Sequence, residues 1–277
     1  MKAGAQGRVR KLTVAIVALA VGSAAAAIEA PAWQAEAGAG ADHLSNGAAD
    51  WSQLDFSLRH RFAPRSQFEL TLRRTRRSGL SDEELGAGIA LPIDAQWSAA
   101  LAATLSPSHH VLARAGGRLE LSRALDGGWV ASGVFGRRVF SGGGGNSLLA
   151  LGVERYVDTW RWAAQLGQTR LDGGGSAANV RLQVDRYFDG ERGRIGLILA
   201  RGRELEGLPA TAGTAADVLD QRVGSLALVG AWPLAPAWAL TGEASHVRYD
   251  DPRRRSGALP GVAYRRSGVR LGVRHDF

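Results

Sequence analysis

The sequence predicts an all-β protein, a transmembrane antiparallel up-and-down β-barrel of about fourteen strands, with twelve to sixteen as the range. Three observations lead there. Runs of about ten residues alternate apolar and polar side chains, a period of two rather than 3.6. Short turns carrying Pro, Asp or Gly beside an aromatic recur about every thirty-one residues, at Ala63-Pro64, Asp94-Ala95, Asp126-Gly127, Asp158-Thr159, Asp189-Gly190 and, after one longer interval, Ala235-Pro236. A basic, then apolar leader opens the chain and Phe277 closes it. A tilted strand crosses a bilayer in roughly 9–11 residues, so two strands and their loops fill one such interval.

The leader runs over residues 1–27. Lys2, Arg8, Arg10 and Lys11 precede the apolar run Leu12–Val21, and Ala25-Ala26-Ala27 supplies a small-residue cleavage site, with the cut expected after Ala27. That apolar run is too short for a spanning helix, and residues 28–277 contain no second one. A secreted chain of this kind enters a membrane by closing a sheet. The expected strands lie near 32–43, 52–62, 67–76, 84–93, 97–106, 113–124, 129–139, 147–156, 160–170, 179–188, 194–203, 222–232, 238–248 and 266–277. An even number places both termini on the periplasmic side.

Alternation alone would also suit a soluble sandwich; three further features place the sheet in lipid. Aromatics gather at the short-turn ends (Phe62, Trp97, Trp129, Tyr156, Trp160, Tyr187, Phe188, Trp232, Trp238 and Phe277), as in a periplasmic aromatic girdle. Longer glycine-rich or irregular connections, at 141–146, 172–178, 204–221 and 250–262, fall opposite the tight turns. The last run, Ser267–Phe277, alternates up to a terminal phenylalanine, the signal expected to be read by the barrel-assembly machinery. The address predicted is the outer membrane of a Gram-negative cell.

Composition excludes several chemistries. There is no cysteine, so disulfides, lipid anchoring and thiolate metal sites are ruled out. The whole chain carries +8, of which the leader supplies four positive charges, and every positive residue beyond Lys11 is arginine. Without a lysine, the glycine clusters Gly142–Gly145 and Gly173–Gly175 cannot be nucleotide phosphate loops; they read as hairpin tips. The arginines are spread one or two per strand rather than clustered, which argues against nucleic acid as a partner. No cofactor is implied. Adjacent His109 and His110 point apart and lack the HExxH spacing, so no metal site is expected.

The segments LSNGAADW, SGLSDEELGAGIALPIDAQW, LSPSHHVLARAGGRLELSRALDGGW, LALGVERYVDTWRWAAQLGQTRLDGGG and RIGLILARGREL, in this order and spacing, resemble the YaiO-type outer-membrane barrel family. The likeness covers about Trp33 to Phe277. It implies an outer-membrane barrel whose members often sit near genes for surface polysaccharide or glycan handling, and it carries no agreed catalytic motif. Many relatives place a helical-repeat region before the barrel, whereas here the leader is expected to run directly into the first strand.

Parity assigns charged side chains to the inner face. Glu69, Arg73, Arg114, Arg118, Glu120, Arg161, Arg181, Asp185, Arg270 and Arg274 are expected to line the lumen, with mixed signs forming ion pairs across the wall. The function expected is non-enzymatic: a pore or a surface scaffold connected with glycan handling, in contact with outer-membrane lipids and lipopolysaccharide. The alternative is a lipid- or glycan-modifying enzyme using the segment Ser106-Pro107-Ser108-His109-His110, placed on an outward loop. That chemistry needs a serine hydroxyl within hydrogen-bond reach of an imidazole, a third group orienting the ring, and oxyanion donors. Arg253-Arg254-Arg255 reads as a solvated loop, or as an anchor for lipopolysaccharide phosphates.

Overall fold

The computed structural model describes residues 33–277 apart from 78, 142–143, 191, 209–216 and 255–262, and along 205–208, 217–220 and 251–254 it describes the backbone only. The leader, Gly142 and Gly143 of the first glycine tip, and the Arg253–Arg255 run as a lipopolysaccharide anchor lie outside the described residues or side chains.

Fourteen strands form in chain order: β1 Trp33–Leu44, β2 Trp51–Ala63, β3 Ser66–Arg77, β4 Leu80–Pro92, β5 Trp97–Leu105, β6 Ala115–Leu125, β7 Trp129–Val139, β8 Gly145–Val157, β9 Trp160–Leu171, β10 Ser176–Phe188, β11 Gly193–Leu208, β12 Asp217–Ala235, β13 Trp238–Arg254 and β14 Tyr264–Asp276. Each pairs antiparallel with its neighbours, and β1 pairs β14, so the sheet is a closed barrel without an edge. At the seam, Gln34 lies opposite Asp276 and Leu44 opposite Arg266. Trp33 and Phe277 exchange backbone hydrogen bonds of 3.0 and 2.9 Å, which ties the terminal residue into the first strand.

The fold is held together inside out. Large apolar side chains are the exposed ones: Leu54, Leu70, Leu72, Leu101, Leu151, Leu166, Leu197 and Leu271 are each between 44% and 66% accessible on the outer face. Many buried side chains are charged or polar, among them Glu69, Thr75, Asp82, Arg161, Gln183 and Asp185, beside mostly small apolar residues such as Val134 and Ala150. A sandwich core would show the opposite distribution, so the free energy of burial here comes from acyl chains rather than from a second sheet. Among the described residues no helix is long and apolar enough to cross a membrane; the strands do the crossing.

Turn chemistry explains the periplasmic ends. Asp158 and Asp189 sit at φ 51° in their two tight turns, a left-handed conformation that aspartate tolerates through local hydrogen bonding. In the 94–97 turn, Asp94 Oδ1 accepts from the backbone N–H groups of Gln96 and Trp97, both at 2.7 Å. The aromatic girdle follows parity: Phe62, Trp97, Trp129, Trp160, Trp232, Trp238 and Phe277 are exposed on the outer face. Tyr156 and Tyr187 depart from that expectation. Both occupy inward positions; Tyr156 Oη donates to Glu154 at 2.9 Å and Tyr187 lines the lumen. A girdle member must share the parity of the lipid-facing leucines, and these two share that of Glu154 and Asp185 instead.

Candidate functional site: the lumen and its mouth

Alternate residues of all fourteen strands build the inner wall, and its charges are organised in ladders that run both across strands and along them. Near the periplasmic end, Gln34 donates to Asp276 at 2.8 Å and accepts from Arg59 at 3.0 Å, while Arg59 reaches Glu69 at 3.1 Å. Higher up, Arg73 bridges Asp55 (2.9 Å) and Glu84 (3.3 Å), and Arg270 lies 3.4 Å from Asp55 and 3.7 Å from Glu243. On the other wall, Arg161 clamps Glu154 through two hydrogen bonds (2.9 and 2.7 Å) and Asp185 through a third (2.9 Å). Gln183 donates to the same Asp185 at 2.8 Å. Such a planar fork, holding two carboxylates in fixed geometry, is a job lysine cannot do.

Between these walls runs a cavity of about 620 Å³. Its lining extends from Gln34, Tyr187 and Arg274 near the periplasmic end to Arg138 and Asn146 toward the outside. Of the residues expected on the inner wall, Glu69, Arg73, Arg118, Arg270 and Arg274 line this cavity. Glu120, Arg161, Arg181 and Asp185 occupy inward positions in the side-chain networks around it; Arg118 meets Glu120 at 2.6 Å, and Arg181 meets Gln183 at 2.9 Å. Arg114 is a correction. It stands one residue before β6 begins, is exposed, and contributes its backbone carbonyl to Ser106 N–H (3.0 Å). The strand starts later than the alternation suggests, because Ala113 and Arg114 belong to a folded loop.

That loop lies on the extracellular side, as expected, and residues 106–114 fasten to Asp82 of β4, whose side chain is fully buried. Asp82 accepts hydrogen bonds from the backbone N–H groups of His110 (2.8 Å), Val111 (2.6 Å) and Leu112 (2.8 Å), and from His110 Nδ1 (2.9 Å). Ser108 Oγ accepts from Glu83 N–H at 3.1 Å, and Ser141 Oγ donates to the His109 carbonyl at 3.3 Å. Ser106 is 2% accessible and its Oγ accepts from His109 N–H at 3.3 Å. The His109 ring faces the carbonyls of Ser106 and Pro107. No serine hydroxyl meets an imidazole here, so the arrangement fastens a loop and does not assemble a nucleophile.

On β1, β2, β13 and β14 the mouth is packed by an apolar cluster that departs from the inside-out rule. Leu44, Trp51, Val247, Tyr249 and Tyr264 form a small buried cluster, with the two tyrosine rings stacked at 4.3 Å. The guanidinium carbons of Arg77 and Arg266 lie 4.6 and 5.2 Å from the Trp51 ring centroid. Both guanidiniums thus make cation–π contacts with the indole.

The model of the YaiO membrane beta barrel domain matches residues 33–206. The chain belongs to the YaiO family. Among curated proteins none matches it in sequence. Of solved structures, this YaiO barrel is similar to a CymD monoaromatic hydrocarbon channel (10% identity, TM-score 0.59, 90% of this chain and 89% of that one). It is also similar to a bacterial polysaccharide outer membrane secretin (8% identity, TM-score 0.57, 88% and 98%). At these identities the likeness is one of fold, and it makes the YaiO chain an outer-membrane β-barrel.

Proposed function

We propose that this YaiO barrel is a non-enzymatic pore for small, hydroxyl-rich polar solutes, short saccharides among them, and that its link to surface-glycan handling runs through such cargo. The observation that carries the reading is the cavity between paired walls. Arg59, Arg73, Arg118, Arg161, Arg194, Arg270 and Arg274 each have a carboxylate within 4 Å. A wall so paired offers a dense set of hydrogen-bond donors and acceptors to hydroxyl groups, with arginine in excess over carboxylate along the cavity itself. A hydrocarbon channel and a polysaccharide secretin share the fold, so the architecture accommodates both kinds of traffic. The enzymatic alternative loses support from Ser106, which is buried and bonded to backbone. In this reading Phe277 is the strand-end signal for the assembly machinery, and lipopolysaccharide is the neighbour at the outer rim.

Swelling of protein-loaded liposomes in isosmotic sugars of increasing size tests the pore. Entry of mono- and disaccharides faster than into empty vesicles, with a cut-off at larger oligomers, is expected. Swelling indistinguishable from empty vesicles for every sugar would retire the pore reading.

A further inference from the structure

The girdle at the periplasmic interface has two chemistries. Near the seam, imidazoles lie against aromatic rings: His60 stacks on Trp33 at 4.1 Å and His275 lies 4.3 Å from Trp238. On the arc from β5 to β10, three successive hairpin junctions carry an arginine directly across the strand pair from a tryptophan: Trp97 with Arg123, Trp129 with Arg155, Trp160 with Arg186. The guanidinium carbons lie 5.5, 5.1 and 5.6 Å from the ring centroids. All six side chains are exposed on the outer face.

These three arginines have no carboxylate in ion-pair contact, although the Arg123 charge still reaches Asp94. Among the described residues no carboxylate comes within 4 Å of Arg123, Arg155 or Arg186; Arg123 donates only to the neutral Gln96 amide at 3.2 Å. Nearby turn carboxylates are engaged elsewhere, Asp94 by backbone N–H groups and Asp189 by Arg192 at 3.2 Å. Most inner-wall arginines are paired with carboxylates, whereas these three stand unpaired at the periplasmic edge of the face that meets lipid. We propose that this arc is a binding surface for anionic phospholipid headgroups of the periplasmic leaflet, each phosphodiester seated on a guanidinium that a tryptophan holds flat at the interface. The indole restrains the arginine, so little side-chain freedom is lost when the phosphate arrives, and the fork presents two N–H groups to two phosphate oxygens. The surface is independent of whether the lumen conducts.

Quenching of tryptophan fluorescence by brominated lipid reads this surface. The purified protein is reconstituted in phosphatidylcholine vesicles containing either brominated phosphatidylglycerol or brominated phosphatidylcholine at equal mole fraction. A roughly five-fold preference for phosphatidylglycerol per arginine is expected for the wild type, shrinking with added salt. In the triple variant R123Q/R155Q/R186Q the ratio should fall to about one. Heat-modifiable mobility certifies folding of each variant; should the triple variant not fold, R155Q/R186Q, which keeps Arg123, should lower the preference to that of a single arginine. A wild type without preference, or a folded variant that keeps it, overturns the proposal.

Discussion

Replacing Asp82 by alanine should release the 106–114 loop and enlarge the passage. In the native chain the Asp82 carboxylate satisfies three consecutive backbone N–H groups and one imidazole, at 2.6–2.9 Å. Alanine leaves those backbone donors without an acceptor, at about 1–3 kcal/mol for each that stays buried. The loop's other ties, Ser108 with Glu83 and Ser141 with the His109 carbonyl, are exposed and of net worth about 1 kcal/mol each. Losing the anchor therefore outweighs what remains, and the segment should leave the wall for water. The barrel itself should persist, because the β3–β4 and β4–β5 ladders do not use the Asp82 side chain. Single-channel conductance in planar bilayers and protease access to residues 106–114 are the two readouts. D82A is expected to raise conductance and to open the loop to cleavage, with D82N intermediate because its amide keeps one acceptor. Unchanged conductance together with a protected loop in D82A would refute the reasoning.

Other outcomes follow from the same geometry. Gly196 faces Asp185 across the β10–β11 pair so closely that an alanine Cβ would collide with the carboxylate; G196A should therefore displace Asp185 from Arg161 and destabilise the barrel by about 3 kcal/mol, comparable to breaking a buried pair, read as a lower denaturant midpoint in lipid vesicles. W51A should cost about 3–5 kcal/mol by emptying the mouth cluster and leaving the Arg77 and Arg266 guanidiniums without the ring between them, checked in the same titration. The Trp97 and Gln96 backbone N–H groups hold the Asp94 carboxyl below the usual carboxylate range. A depressed folded-state pKa means that the turn gains stability above the ordinary aspartate range and loses it as pH falls through the lowered value. Hydrogen exchange of the Trp97 amide should accordingly rise relative to neighbouring amides in acid, while D94N should flatten that dependence.

How much of this was legible in the sequence depends on the range of the interaction. Parity is local, so the outward leucines, the six tight turns and the fourteen strands could be read from runs of ten residues. The arginine–carboxylate partners could not be, because closure sets register between residues as distant as Gln34 and Asp276. Tyr156 and Tyr187 were misassigned because an aromatic near a turn looks like a girdle residue until its parity is counted from Glu154 or Asp185. Asp82 is hidden for a related reason: alternation places the start of the fourth strand near 84, although the two-residue period of Gly88, Gly86 and Glu84 continues inward to Asp82. The loop it anchors reads as polar and outward, since nothing in Ser106–His110 reveals that an acceptor waits on a neighbouring hairpin. At the mouth the pattern itself inverts, with Trp51 and Tyr249 inward, where Trp51 packs in an apolar cluster and against the Arg77 guanidinium.

Single-cysteine scanning along Phe68–Arg73 tests the central claim most directly, since the native chain has no cysteine and each probe is unique. In proteoliposomes, a water-soluble thiol reagent should modify positions 69, 71 and 73, while spectroscopic labels at 68, 70 and 72 should be quenched by probes attached to acyl chains. A pattern that does not alternate, or one with the two sets exchanged, would contradict a barrel with a watery interior and a lipid-facing exterior.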